Sequence, residues 1–351
     1  MDTMTECFRG EPCHDLLNQS IKQAMAYSED ADYATWRAAL REKFIELTGL
    51  DVIESNAAAD AALEIEFEEK KEGYTLTRFT FASEEGTRVP CYLLVPDTGR
   101  ESYPVAITLQ GHSTGFHNSI GEIKFPDKDT DYQPRGAFAL QAVKNGYAAL
   151  CIEQRGMGER RPTGKPREAK MCLYTAMTAL MLGRTILGER VWDIHCAIDV
   201  LRDHFPSCNI DQILITGNSG GGTATFYAAC YDERIKLAAP SCAFCTYEAS
   251  ILDMFHCSCN YIPNAYRYFE MQDLSALIAP RRIAVIAGEK DPIFPIHGVR
   301  KGYATLEKIY RTAGAEENCR LVVTPREHWW CEDLVWSTIN EEAEKLGWKR
   351  N

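Results

Sequence analysis

The stretch Ile213-Leu214-Ile215-Thr216-Gly217-Asn218-Ser219-Gly220-Gly221-Gly222-Thr223 decides the reading of this chain. Its first four residues are a short apolar run of the kind buried strands show, and a helical run begins near Thr223. A glycine-rich turn joins them. This is G-x-S-x-G in a strand-turn-helix setting, where the serine occupies a sharp, strained turn and small neighbours let the backbone pass close to adjoining chain. In an open α/β sheet such a turn lies at the carboxyl edge, where ligands bind. A turn of this kind can also cradle phosphate, but that use calls for a lysine after the glycines, and Gly222-Thr223 stand there instead.

Working outward, Tyr74 to Phe81, a turn at Glu84 to Thr87, and Val89 to Val95 read as an antiparallel pair that begins near Gly73. Val105–Leu109, Tyr147–Ile152, Ile213–Thr216, Ile235–Ala239, Ile283–Ala287 and Arg320–Thr324 are further strand candidates. Helical periods lie between them, as in Val191, Ile194, Ile198 and Leu201. Short apolar strands alternating with helices imply an α/β domain with a mostly parallel sheet covered on both faces. Residues 1–62 read as an N-terminal helical extension: Trp36, Leu40, Phe44 and Leu47 form one apolar stripe, and Gly49 stands at the left-handed C-cap position. That leaves residues 63–351 as the main domain, with an insertion at about 241–274. The insertion is rich in aromatics and reads as either a lid or a small core of its own.

A serine hydroxyl needs a base, and the base needs an acid to orient it. Asp291 follows the strand Ile283–Ala287 within Gly288-Glu289-Lys290-Asp291-Pro292, and His328 follows Arg320–Thr324 within Pro325-Arg326-Glu327-His328. Nucleophile, acid, histidine is the chain order this setting uses, so Ser219, His328 and Asp291 are the expected triad, with Glu289 as reserve acid. The oxyanion donors are expected to be the amides of Gly220 and of His112, the latter in Gln110-Gly111-His112-Ser113. His256 and Tyr261, in the insertion, are candidate substrate contacts. Glu153 and Arg155 are expected to pair with one another on the same rim. His14, His117, His195, His204 and His297 read as structural.

Lys plus Arg number 38 and Asp plus Glu 50 in 351 residues, a net charge of −12 with no basic run, which argues against nucleic acid and anionic membrane as partners. No apolar run is long enough to span a bilayer, and the start of the chain lacks a basic segment followed by an apolar one, so a cytoplasmic location is expected. The 14 cysteines are then expected to be reduced. Cys242, Cys245, His256, Cys257 and Cys259 cluster in sequence and offer zinc-type ligands, but the second half is C-x-C, and buried free thiols with no metal are the favoured reading.

The motif order resembles the α/β-hydrolase superfamily, and its details resemble the acetyl xylan esterase and cephalosporin C deacetylase branch, near the dienelactone hydrolase-like proteins. The matching text is CYLLVP, LQGH, EQRGMG, GNSGGGT, IAPRRIAVIAGEKDPIFP and REHWW, spread over roughly residues 73 to 345. The resemblance implies an eight-stranded, mostly parallel sheet, a triad on Ser219, Asp291 and His328, no cofactor, and a small-molecule or carbohydrate ester as substrate. Gln110 and Glu153 depart from the branch's usual oxyanion and D-x-R-G-x-G texts. A serine peptidase or thioesterase on the same residues, and a non-catalytic binding protein on the same scaffold, are the rival expectations; the sequence leaves a homo-oligomer open.

Overall fold

The computed structural model describes residues 11–162 and 171–350. Within them, β1 (Glu64–Lys71), β2 (Tyr74–Phe81), β3 (Val89–Pro96), β4 (Tyr103–Leu109), β5 (Ala148–Ile152), β6 (Cys208–Asn218), β7 (Ile235–Ser241), β8 (Arg282–Gly288) and β9 (Cys319–Thr324) form one sheet. Its order is β1-β2-β3-β5-β4-β6-β7-β8-β9. The first three strands and β3 against β5 pair antiparallel, and every pair from β5 onward is parallel. The helices are α1 (Pro12–Ser20), α2 (Tyr33–Thr48), α3 (Leu50–Glu54), α4 (Pro126–Asp129), α5 (Phe138–Lys144), α6 (Met171–Met181), α7 (Ile186–His204), α8 (Gly220–Tyr231), α9 (Ala265–Tyr268), α10 (Ile296–Thr312) and α11 (Glu332–Lys345).

The sheet has nine strands where eight were expected, and the addition is β1. Its sequence, Glu-Ile-Glu-Phe-Glu-Glu-Lys-Lys, is solvated on both faces, with only Phe67 half-buried. An edge strand pairs on one side only and needs no apolar alternation. Its charges also discourage pairing with another chain. The pattern that marks interior strands was therefore never required of it.

Interior strands alternate between two cores. Val105, Ile107, Ile213 and Ile215 face one, shared with α7, α8 and α10, while Ala106 and Leu214 face the other, closed by α5, α11 and the buried Trp330 and Trp336. Period-two side-chain direction thus covers both faces of the sheet. Leu40 and Phe44 of α2 are buried in the first core, Phe44 stacking on Tyr227 at 6.1 Å, and Gly49 ends α2 at φ 71°. Arg37 donates to the Ala276 carbonyl at 2.8 Å, so α2 packs onto the turn that leads into β8, while α1 buries no residue.

The segment after β7 does not build a separate small core. Phe244, Tyr247 and Phe269 are buried in the main one, and the Tyr247 hydroxyl meets that of Tyr227 at 2.6 Å. Phe255 and Tyr261 remain exposed.

Candidate active site

Ser219 lies between β6 and α8 with φ 55° and ψ −123°, the strained conformation the turn demands of a non-glycine residue. Close packing makes that turn. A Cβ on Gly217 would stand 2.5 Å from the Leu109 carbonyl oxygen, and one on Gly221 only 2.1 Å from it. The Ser219 amide donates to Ser241 at 2.9 Å, and the Ser241 hydroxyl donates to Asn218 Oδ1 at 2.9 Å. The Ser219 backbone is therefore clamped between the ends of β4 and β7.

Asp291 and His328 are brought together. Asp291 is buried; its Oδ1 accepts the amides of Ile293 and Phe294 at 2.8 and 3.1 Å, and its Oδ2 accepts from His328 Nδ1 at 2.8 Å. The Phe294 ring stacks on the imidazole at 5.9 Å. With its proton on Nδ1, His328 presents Nε2 as a lone pair, and that nitrogen is buried without a hydrogen-bond partner among the described residues. Ser219 Oγ makes no hydrogen bond to it there; the link runs through the end of β7. Ser241 holds the Ser219 amide, and the next residue, Cys242, has its sulfur within 4.8 Å of the facing atoms of Asp291 and His328. Glu289, the reserve acid, is exposed, so Asp291 alone orients the ring.

Sequence reasoning did not place Cys242 at this pair. It has φ 49°, its amide donates to Ile286, its sulfur lies 3.7 Å from the Trp329 carbonyl, and burial pushes its thiol up to about 12. Its position directly after an interior strand was the available signal. The local cysteine cluster read from sequence is thus divided: Cys242 backs the dyad, Cys245 faces the Pro295 carbonyl, and Cys257 and Cys259 join His112 and Cys172, all four ligand atoms lying within 4.8 Å of one another. In that group Cys259 Sγ is 3.3 Å from His112 Nε2. The Cys172 thiol is drawn well below its ordinary range by the thiols of Cys257 and Cys259. Burial works against the charged His112 ring, yet the sulfurs of Cys172 and Cys257 raise it to about 9.

His112 and Gly220 are adjacent. A Cβ on Gly220 would stand 3.0 Å from His112 Nδ1 and 3.4 Å from Met157 Cε, and one on Gly111 would stand 3.2 Å from Ser219 Cβ. Beside this point opens a cavity of about 570 Å³, walled by Met157, Leu173, Met177, Phe255, Tyr261 and His256 among others. A second cavity of about 360 Å³ shares His112 and Ser113 and is lined by Lys128, Asp131, Tyr132 and Arg135. Both candidate contacts, His256 and Tyr261, therefore line the larger cavity. His256 is fixed: Ser250 Oγ donates to the Ile293 carbonyl, so the ring's Nε2–H donates to Ser250 at 3.0 Å and Nδ1 accepts from Asn260. Burial lowers its pKa to about 4, which keeps it neutral.

Glu153 and Arg155 do not pair with each other. Arg155 turns to Glu84 and Asp193, while Glu153 accepts the amides of Phe116 and Glu159 at 3.3 and 3.1 Å. Burial pushes the Glu153 carboxyl up to about 7. A carboxyl raised in the folded state favours folding below its unfolded pKa, and that contribution is lost as pH rises through 7. Glu153→Gln, which cannot ionise, is expected to stabilise the protein at pH 8 by up to about 3 kcal/mol and far less at pH 5. Denaturant unfolding at the two pH values measures the difference; an equal effect at both would contradict it.

A doubly covered, mostly parallel sheet with a serine elbow after β6 and an Asp-His pair after β8 and β9 defines an α/β hydrolase. The profile of the Abhydrolase family matches residues 13–236, and the chain belongs to that family. YtaP of Bacillus subtilis (strain 168), assigned as a hydrolase, is 25% identical over 245 residues, 69% of this chain and 78% of its own length. Among solved structures, a Bacteroides fragilis NCTC 9343 protein assigned as an acetyl xylan esterase superposes with a TM-score of 0.78 at 17% identity, covering 94% of this chain and 93% of that one. A glucuronoyl esterase from Solibacter usitatus gives 0.64 at 14% identity over 93% and 98%. Acetyl xylan esterase 1 from Thermoanaerobacterium sp. JW/SL YS485 gives 0.57 at 16% over 96% and 99%. At these identities the likeness is one of fold. No helix among the described residues is long and apolar enough to cross a membrane.

Proposed function

We infer that the chain is a serine hydrolase of carboxylic esters, acting on a small acyl ester of a sugar or similar polar alcohol. The observation that carries this reading is the buried Nε2 of His328, without a hydrogen-bond partner among the described residues and held by Asp291, together with the strained Ser219 at the end of β6. His328 takes the Ser219 proton as Oγ attacks the ester carbonyl; the Gly220 and His112 amides receive the oxyanion; the alcohol leaves with the proton from His328. Water activated by the same nitrogen then releases the acid. The two cavities that meet at His112 suit the two halves of such a substrate: apolar walls for one, the Lys128, Asp131 and Arg135 lining for the other. The fold neighbours named as esterases support this class, and it carries over to this chain as a proposal.

The test is a panel of matched ester, thioester and peptide substrates, together with a fluorophosphonate probe read by peptide mapping. Hydrolysis of esters first and labelling at Ser219 are expected. Preference for thioester or peptide would replace the substrate class, and an unlabelled Ser219 with no turnover would return the chain to a binding role.

A further inference from the structure

We propose that His112, Cys172, Cys257 and Cys259 form a zinc site in the wall of the larger cavity, beside the serine elbow. The four residues come from three separate places: the loop after β4, the start of α6, and the segment between β7 and β8. His112 and Cys259 are 147 residues apart in sequence, yet their ligand atoms lie 3.3 Å apart. A tetrahedral zinc with Zn–S near 2.3 Å and Zn–N near 2.0–2.1 Å has ligand edges of about 3.8 Å between sulfurs and about 3.6 Å between sulfur and nitrogen. The observed grouping within 4.8 Å fits that figure with small adjustment. The turn Ser258–Asn260, closed by the Asn260 amide on the Cys257 carbonyl at 3.0 Å, lets a C-x-C pair deliver two sulfurs to one point.

A second observation concerns charge. Three thiolates and one imidazole around Zn²⁺ carry a net −1. Arg190, a fully buried guanidinium, donates to Cys172 Sγ at 3.4 Å and anchors itself on the Arg155 carbonyl at 2.8 Å. A buried cation on α7 aimed at a cysteine sulfur of α6 is explained by a site that is anionic when filled. Binding breaks the remaining S–H bonds and releases those protons to solvent; no electron is transferred. Four protein ligands leave no open position, so the ion is structural and generates no hydroxide. It would tie the cavity wall, α6 and the loop after β4 together. With Nε2 on the metal, the His112 proton is fixed on Nδ1, the nitrogen facing Gly220.

The test is metal analysis of the full chain, purified without a histidine tag and under reducing conditions, followed by cobalt substitution. One zinc per chain is expected, and Co²⁺ should give a thiolate-to-metal charge-transfer band with intense tetrahedral visible bands. Cys257→Ser and Cys259→Ser should each weaken zinc binding by more than the roughly 10–100-fold that loss of an outer partner costs. Cys245→Ser, outside the site, should leave it unchanged. Reduced protein, shown by thiol titration to have its cysteines free, that takes up neither zinc nor cobalt would overturn the proposal. So would a disulfide within the group that persists in the reduced protein, or metal retained unchanged in both serine variants. The cobalt spectrum of the unmutated chain decides the matter even where a variant fails to fold, and none of these readouts depends on ester hydrolysis.

Discussion

Ser219→Ala is expected to lower kcat on a small activated ester by about 10⁴–10⁶-fold while leaving the unfolding transition in place. The alanine variant keeps the elbow because the turn is made by Gly217 and Gly221 against the Leu109 carbonyl, and by the Ser219 amide on Ser241, none of which uses the hydroxyl. Since nucleophile and base act as a unit, adding His328→Ala to Ser219→Ala should cost little more. Asp291→Asn tests the orientation of the base separately. Oδ1 accepts two backbone amides, which fixes the side-chain oxygen there and turns the new amide group toward His328 Nδ1. That group donates, so Nδ1 must accept and the ring proton moves to Nε2, the nitrogen that should receive the serine proton. A loss of about 10⁴-fold is expected with the fold intact. Steady-state kinetics beside circular dichroism measures all three, and a Ser219→Ala protein within tenfold of the parent would remove Ser219 as nucleophile.

Most of the sheet was legible because the interior parallel strands β4 to β8 are apolar on both faces, while the antiparallel β2 and β3 and the half-buried edge strand β9 still carry short apolar or β-branched runs. β1 was not, since an edge strand solvated on both faces carries no such signal. The positions of Ser219, Asp291 and His328 directly after β6, β8 and β9 were legible for a related reason, since strand ends can be counted, and of the three the structure joins Asp291 to His328. The thiol group was hidden because its ligands are not neighbours in sequence. Cys257 and Cys259 drew attention together, but the residues they meet, His112 and Cys172, belong to a strand-end loop and to the start of α6. Glu153 and Arg155 show the same limit in electrostatics. They are two residues apart, yet burial sends one to backbone amides and the other to carboxylates on distant elements.

Arg155→Met is expected to destabilise the protein by about 3–5 kcal/mol, the usual cost of breaking a buried ion pair from one side. Arg155 reaches Glu84 at 2.5 Å, grips Asp193 through Nε and Nη2 at 3.0 and 2.9 Å, and lies 3.5 Å from Glu189. Arg184 also meets Glu84 and Glu189, and Arg160 also meets Asp193. Three carboxylates therefore face three guanidiniums, all with side chains nearly inaccessible to water. Attraction among them outweighs burial at Asp193, whose carboxyl lies far below the ordinary range. Methionine fills the space but leaves three carboxylates against two cations, an excess negative charge in a low-dielectric interior. The charge balance supplies its own check. Adding Glu84→Gln to Arg155→Met restores two against two and should recover a substantial part of the loss, whereas Glu84→Gln alone leaves an excess cation and should destabilise. Denaturant unfolding of the four proteins gives the coupling. A loss below about 1 kcal/mol for Arg155→Met, the range of exposed pairs, would mean that solvent reaches these charges and that the rim of the site is not held by this network.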